Sequence, residues 1–356
     1  MSTSGLLSGT IAGVFPSTPQ DGDRDPWDAD SSRQIARSAP SRSSSGFYAG
    51  APAGESGTIG RRPASLEDLE EDADAPDEIE FVPVRRNLSL AIAGFAGLLG
   101  IGLILGAQTS GPDARLPYAI VIFGVQLLFV LAWTMAMRPP APGIVATVCA
   151  VVAAGADYAA ISTETAHLAP LGYVAAGGFA LAVVGQLIRR ADRARVSDSL
   201  GATLLIVIGV VSFASLIVLT RKPIGTQTVL VCLAAAGSAV FVARLADAIF
   251  AKPRLAPQVP RGATGIILGA MLGTLVASVL GSVLVLPFNP GKGAILGLVT
   301  AGVAVLVDLA VNYAETSRNM AGDAPTFWLA RHMQGPLGAF ALASPAAYAL
   351  AIFFLS

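Results

Sequence analysis

From Leu88 to the C-terminus the chain runs as apolar stretches, each closed by a cluster of Pro, Gly or charge. Each stretch is close to the roughly 20 residues an α-helix needs to cross a bilayer. The runs between breaks predict helices at 88–107, 117–137, 143–161, 168–188, 200–219, 226–249, 264–286, 293–314 and 336–355. These runs are too long and too uniformly apolar for barrel strands, and backbone groups in hydrocarbon must be paired within the chain. The expected fold is therefore all-α: a polytopic helical membrane protein with about nine transmembrane helices, occupying 85–356.

Residues 1–84 break the pattern. Ser, Pro, Gly, Asp and Glu prevail there and no apolar period is sustained, the composition of a disordered segment. This tail holds 15 acids and six arginines, a net of −9, densest at Glu67 to Glu80 (EDLEEDADAPDEIE). From Arg85 onward there are 17 basic residues and nine acids, a net of +8, so the overall −1 conceals an acidic tail joined to a basic membrane body. The early apolar patch Leu6 to Phe15 lacks a basic flank and is interrupted by Gly, so no signal peptide is expected and the tail stays in the cytoplasm. It either docks on a basic partner, such as another membrane protein or the chain's own loops, or merely solvates the N-terminus. Composition favours the second.

Placing the tail inside puts Arg85, Arg86, Arg138, Arg189, Arg190, Arg193, Arg195, Lys252, Arg254, Arg261, Arg318 and Arg331 on the cytoplasmic side. Arg115, Arg221, Lys222 and Lys292 fall on the other. That bias follows the positive-inside rule and puts the C-terminus outside. Merging 200–219 with 226–249 is the error to which the count of nine is most exposed. A mean hydropathy of +0.65 agrees with the lipid assignment. Twenty arginines against three lysines, with abundant Ala and Gly, suggest a GC-rich bacterial genome, hence a bacterial plasma membrane.

Ionisable residues inside spans are costly, which singles out Asp157, Arg244, Asp247 and Asp308. Arg244 and Asp247, three apart, share a helix face, where an internal ion pair or snorkelling to the interface accounts for them. Asp157 lies near the outer end of its span, where partial exposure explains it as well as a substrate role does. Asp308 lies deeper, with Asn312 one turn on, and the two are candidates to line a polar cavity. His332 falls in a predicted cytoplasmic loop with no His or Cys partner at metal spacing. Cys149 and Cys232 read as small apolar residues inside spans. Gly265, Gly269, Gly273 and Ala277, four apart, favour close helix packing, within the monomer or between copies. The basic loop Arg189 to Arg195 (RRADRAR) reads as an anchor against anionic head groups. No hydrolase, zinc-protease, Walker or dinucleotide motif is present, and no nucleic-acid partner is expected.

Two stretches of the last third carry a resemblance. Ala251 to Thr264 (AKPRLAPQVPRGAT), followed by a glycine-rich helix, resembles the cytoplasmic loop GKHKLAPxISPKKTWEG of the phosphatidate cytidylyltransferases, or CDP-diacylglycerol synthases. Asp308-Leu309 resembles that family's GDL, and Ser344-Pro345 its APV, at matching spacing. The resemblance extends over nine helices, the family's number, and implies a lipid-accessible fold with Lys252, Arg254 and Arg261 as candidate head-group contacts. It also implies a Mg²⁺ site, which needs several hard oxygen ligands around the transferring phosphates. The chain departs from the family there. Where an acid should precede the loop it reads Ser238-Ala239-Val240, Glu315 and Thr316 replace the family's KR, and Trp328 to Gly338 (WLARHMQGPLG) stands in place of PGHGGxxDRxD. Only Asp308 remains of the metal set.

The expected protein is thus a non-catalytic relative that acts by binding lipid, an anionic phospholipid or another membrane protein, with no catalytic residue, cofactor or metal. Two alternatives stand beside it: an active CTP-dependent enzyme of phospholipid synthesis, the one reading that requires Mg²⁺, and a small permease using Asp157, Asp247 or Asp308 as an ion site.

Overall fold

The computed structural model describes residues 85–109, 114–188, 195–250, 252–256, 258–321 and 327–355. The tail and its expected disorder, and most of the Arg189 to Arg195 loop, lie outside the described residues. Nine long helices are present among those described, and no strand: α1 Arg86–Gln108, α2 Leu116–Met137, α3 Pro142–Ser162, α4 Ala169–Ile188, α5 Val196–Thr220, α6 Gly225–Ile249, α7 Ala263–Val283, α8 Pro290–Met320 and α9 Trp328–Leu350, which runs on into a π-helical turn, Ala351–Leu355. All nine are long and apolar enough to cross a membrane. The chain is a multi-pass helical membrane protein. Its outward faces are apolar, with Leu98, Leu105, Met271, Val283 and Leu298 among the exposed side chains, an inversion of the soluble pattern that only lipid makes stable.

The helix starts follow local chemistry. Pro stands in the first turn of α2, α3 and α8, where its missing N–H removes nothing the helix needs. Asn289 caps α8 by accepting the Lys292 N–H at 2.8 Å. α2 ends at Arg138 in the left-handed region (φ 46°), ahead of Pro139.

One group of helices consists of α1, α6, α7 and α8, a second of α2 to α5, and α9 packs against both. The spans α5 and α6 are the most buried, while α4 and α7 face outward over most of their surface. The glycines of α7 lie on its buried stripe. A Cβ placed on Gly265, Gly269 or Gly273 would stand 2.7, 2.4 or 2.6 Å from the backbone oxygen of Ala243, Ala239 or Ala235 on α6. The small-residue pattern is therefore consumed by packing within the monomer, where it lets two backbones touch.

The sequence boundaries fail around the last loop. α8 continues to Met320 and α9 begins at Trp328, eight residues before Pro336, which the sequence pattern marks as a helix start. Pro336 instead lies inside the helix and is buried. Its broken backbone bond costs about 3 kcal/mol, and this is offset because the preceding turns have a surface to pack on: Gln334 and Gly335 are buried, and Arg331 pairs with Glu315 of α8. His332 consequently sits half-buried in the opening turns of α9, its ring 6.0 Å from that of Trp328, and not in a loop.

Candidate functional site

Odd-numbered helices start, and even-numbered helices end, at the end of the bundle where Arg85 enters, hereafter the entry end. There, four buried charges meet. Arg244 and Asp247 come from the last turns of α6, Asp308 from α8, and Arg261 from the last residues of the loop between α6 and α7. Arg244 Nη2 donates to Asp308 Oδ1 at 2.5 Å. Arg261 Nη1 lies 2.9 Å from Asp308 Oδ2 and 3.1 Å from Asp247 Oδ2. The other Asp247 oxygen accepts the Gly262 N–H at 2.9 Å. The charges alternate along a chain, Arg244, Asp308, Arg261, Asp247, and sum to zero. This is what makes their burial tolerable, since an unpaired charge in so apolar a place costs several kcal/mol.

The loop geometry delivers Arg261 inward. An isolated bridge pairs Arg254 with Gly262, Leu255 N–H donates to Arg261 O at 3.3 Å, Arg261 N–H to Val259 O at 2.8 Å, and Ala263 N–H to Pro253 O at 3.0 Å. Arg261 is thereby held in a tight hairpin-like turn with no exposed surface at all. Burial, with the like charge of Arg244, pulls its guanidinium below the ordinary value, against the opposing pull of Asp308 and Asp247. An arginine starts so high on the pH scale that it stays charged. Nη1 is near enough to both carboxylates for ion pairing but lies off the hydrogen-bond line to either, and Arg261 Nε and Nη2 and Arg244 Nε find no acceptor.

These contacts revise several sequence expectations. Arg244 and Asp247 do not pair with each other but with Asp308 and Arg261, from other elements. Arg261 is turned into the bundle and is not placed as a head-group contact; Lys252 is exposed and Arg254 half-buried. Asp308 and Asn312 have separate partners: the Asp308 carboxylate is engaged by two arginines, while the Asn312 amide folds back to donate to Asp308 O at 2.5 Å. At two of the positions where the resemblance would require acids a larger side chain has no room: Ala239 packs against Gly269, and a Cβ on Gly335 would stand 2.1 Å from Asp308 Oδ1. One on Gly338 would meet Trp133 at 3.2 Å. Among the described residues, no three His, Cys, Asp or Glu side chains are grouped so as to hold a metal ion.

A second polar cluster lies in the other group of helices. Gln126 of α2 donates through Nε2 to Asp157 Oδ1 of α3 at 2.9 Å and to Val210 O of α5 at 3.1 Å. Asp157 is buried, which corrects the expectation of partial exposure. Gln126 carries no charge and so does not stand out among the ionisable residues of the spans; an amide in the middle of an otherwise apolar span was the available signal. Just beyond Asp157, Arg115 and Arg221 cap the end of α3. Arg115 Nη1 donates to Ile161 O at 3.0 Å, and Arg221 donates to Ala160 O at 2.6 Å and to the Thr163 and Glu164 carbonyls. Two cations on the negative end of a helix dipole are favourably placed.

In comparisons with protein-family models, with curated proteins and with solved structures, nothing matches this chain.

Proposed function

We propose that this protein is a non-catalytic member of the phosphatidate cytidylyltransferase type, resident in a bacterial plasma membrane, which acts by binding anionic phospholipid at its entry end. The observation that carries this reading is the state of Asp308. The one carboxylate left from the family's metal set already has its charge matched by Arg244 and Arg261 in a site without exposure, leaving Mg²⁺ no open ligand to take. The lipid part rests on Arg85, Arg86, Arg138 and Lys252, which are exposed at the same end, where each basic residue near an anionic leaflet is worth about 1 kcal/mol. This reading puts that end, with the acidic tail, in the cytoplasm and the C-terminus outside.

Purified protein given CTP, phosphatidate and Mg²⁺ is expected to release no pyrophosphate above background, because such chemistry draws most of its rate from electrostatic stabilisation of the transferring group. Robust turnover would establish the enzyme alternative instead. Asp308→Asn is not a clean probe by itself, since it also breaks the buried ion pairs, so its melting temperature must be read beside its activity. Phosphatidate, but not a neutral phospholipid, should raise the melting temperature of the solubilised protein, and the rise should shrink in Arg85→Ala/Arg86→Ala/Lys252→Ala. An equal rise with the neutral lipid ends the anionic reading.

The orientation has its own test. A single cysteine placed at Ser197, exposed at the start of α5, should resist a membrane-impermeant thiol reagent added to intact cells. Strong labelling from outside would reverse the topology.

A further inference from the structure

The two buried clusters differ in what they lack. At the entry end, the groups left without hydrogen bonds are of both kinds, the Arg261 nitrogens, Arg244 Nε and the Asp247 and Asp308 Oδ2 atoms, and the charges they carry match one another. At the Gln126–Asp157 cluster the groups so left are acceptors. Val210 O can only accept, so the face of the Gln126 amide turned toward it must be the NH₂ group, and both N–H bonds are then used, one on Val210 O and one on Asp157 Oδ1. Gln126 Oε1 and Asp157 Oδ2 remain, both buried and both without a donor. Gln126 has no exposed surface and Asp157 retains 6%. No cation forms an ion pair with Asp157 among the described residues, whereas Asp247 has one such partner and Asp308 two. What this cluster lacks is positive charge.

The charged and titratable groups of the surrounding elements do not supply it. On α3 itself the other titratable groups are Cys149, more than two turns away, and exposed Tyr158. α2 contributes the buried phenol of Tyr118, more than two turns from Gln126, and Arg115 just ahead of its first residue, and α5 contributes Arg221 just after its last; both arginines are committed to the carbonyls that end α3. α4 carries no acid or base along its length apart from the exposed phenol of Tyr173, and Glu164 and His167, in the connection leading to it, are exposed. Asp198 is at the far end of α5, paired with Arg195. Asp157 lies five residues inside the end of α3, about 8 Å below it along the axis. A carboxylate at that depth without a counter-charge is expensive, and the two guanidinium groups above it offset only part of that cost.

We propose that Asp157 Oδ2 and Gln126 Oε1 bind a small monovalent cation, a proton or a sodium ion, and exchange it. The chemistry common to both ions is a compact positive charge that needs anionic and carbonyl-type oxygens. The nearby cations Arg115 and Arg221 lower the affinity of the site, which suits an ion that comes and goes. This site is independent of the entry-end cluster and of the lipid reading, and it gives the α2–α5 group of helices a role of its own.

Infrared difference spectroscopy on the lipid-reconstituted protein tests it. Raising the pH without sodium should remove a carboxylic-acid C=O band that is absent in Asp157→Asn, and Gln126→Leu should move the midpoint of that loss. If sodium also occupies the site, adding it at fixed pH removes the same band; if the band answers to pH alone, the ion is the proton. Identical difference spectra for the wild type and a folded Asp157→Asn, with and without sodium, would mean that the group never changes state and would overturn the proposal. Should Asp157→Asn not fold, carbodiimide modification of the wild-type protein, located by mass spectrometry, decides the matter. Asp157 should be modified at low pH and protected by alkaline pH or sodium, and a level of modification indifferent to both overturns the proposal.

Discussion

Arg261→Met should destabilise the protein by about 3–5 kcal/mol, the range seen when one partner of a buried ion pair is removed. Methionine keeps much of the apolar stem but takes away the one cation that Asp247 and Asp308 share. The cluster is left with two carboxylates and Arg244, a net negative charge in a place with no exposed surface at Arg261 or Asp308. The measurement is the thermal or denaturant unfolding midpoint in a fixed detergent. Removing the orphaned acid as well, in Arg261→Met/Asp247→Asn, should recover part of the loss, because Arg244 and Asp308 then form a neutral pair. A single mutant within about 1 kcal/mol of the wild type, against the cost expected of a stranded buried charge, would mean that the four charges do not act as one network. A double mutant that is simply additive would mean that Asp247 gains nothing from Arg261.

Gly269→Leu should be comparably damaging for a reason that has nothing to do with charge. A Cβ there would sit 2.4 Å from Ala239 O and 2.9 Å from the Ala243 Cβ, so α6 and α7 would have to separate along their whole contact. Overpacking a buried contact costs about 1–3 kcal/mol where side chains can give way, and a backbone oxygen gives way less. The separation would also pull the ends of the loop that carries Arg261, so the same substitution should loosen the charge cluster. The control is Gly102→Leu, on an exposed face of α1 with nothing within 4 Å, which should leave stability unchanged or slightly raised. Equal effects of the two substitutions would rule out the close approach of α6 and α7 as a determinant of stability.

Much of the architecture was legible because lipid imposes a simple rule. A stretch that must satisfy its own backbone in hydrocarbon has to be helical and long, so the nine spans follow from counting apolar residues, and the α7 glycines announce a close helix approach through their spacing of four. The ends of α8 and α9 were not legible. A proline read alone signals a helix start, and only the surface offered by Asp308, Arg244 and Glu315 explains why the helix runs through Pro336. The ionisable residues themselves were visible from their cost in a membrane, but their partners were not. Arg244 meets Asp308 across 64 residues of sequence and Gln126 meets Asp157 across 31, separations at which composition and periodicity carry no information. Arg261 is the sharpest instance: as a basic residue in a loop it reads as a surface contact for lipid head groups, and it is the turn from Pro253 to Gly262, closed by backbone hydrogen bonds, that sends it inward. The sequence by itself determined that this chain lives in a membrane as long helices, because hydrophobicity is a local property summed along each span. Which buried charges neutralise one another, and which are left wanting a counter-ion, was decided only by the tertiary structure, because electrostatic compensation depends on distances of a few ångströms between groups that the sequence holds far apart.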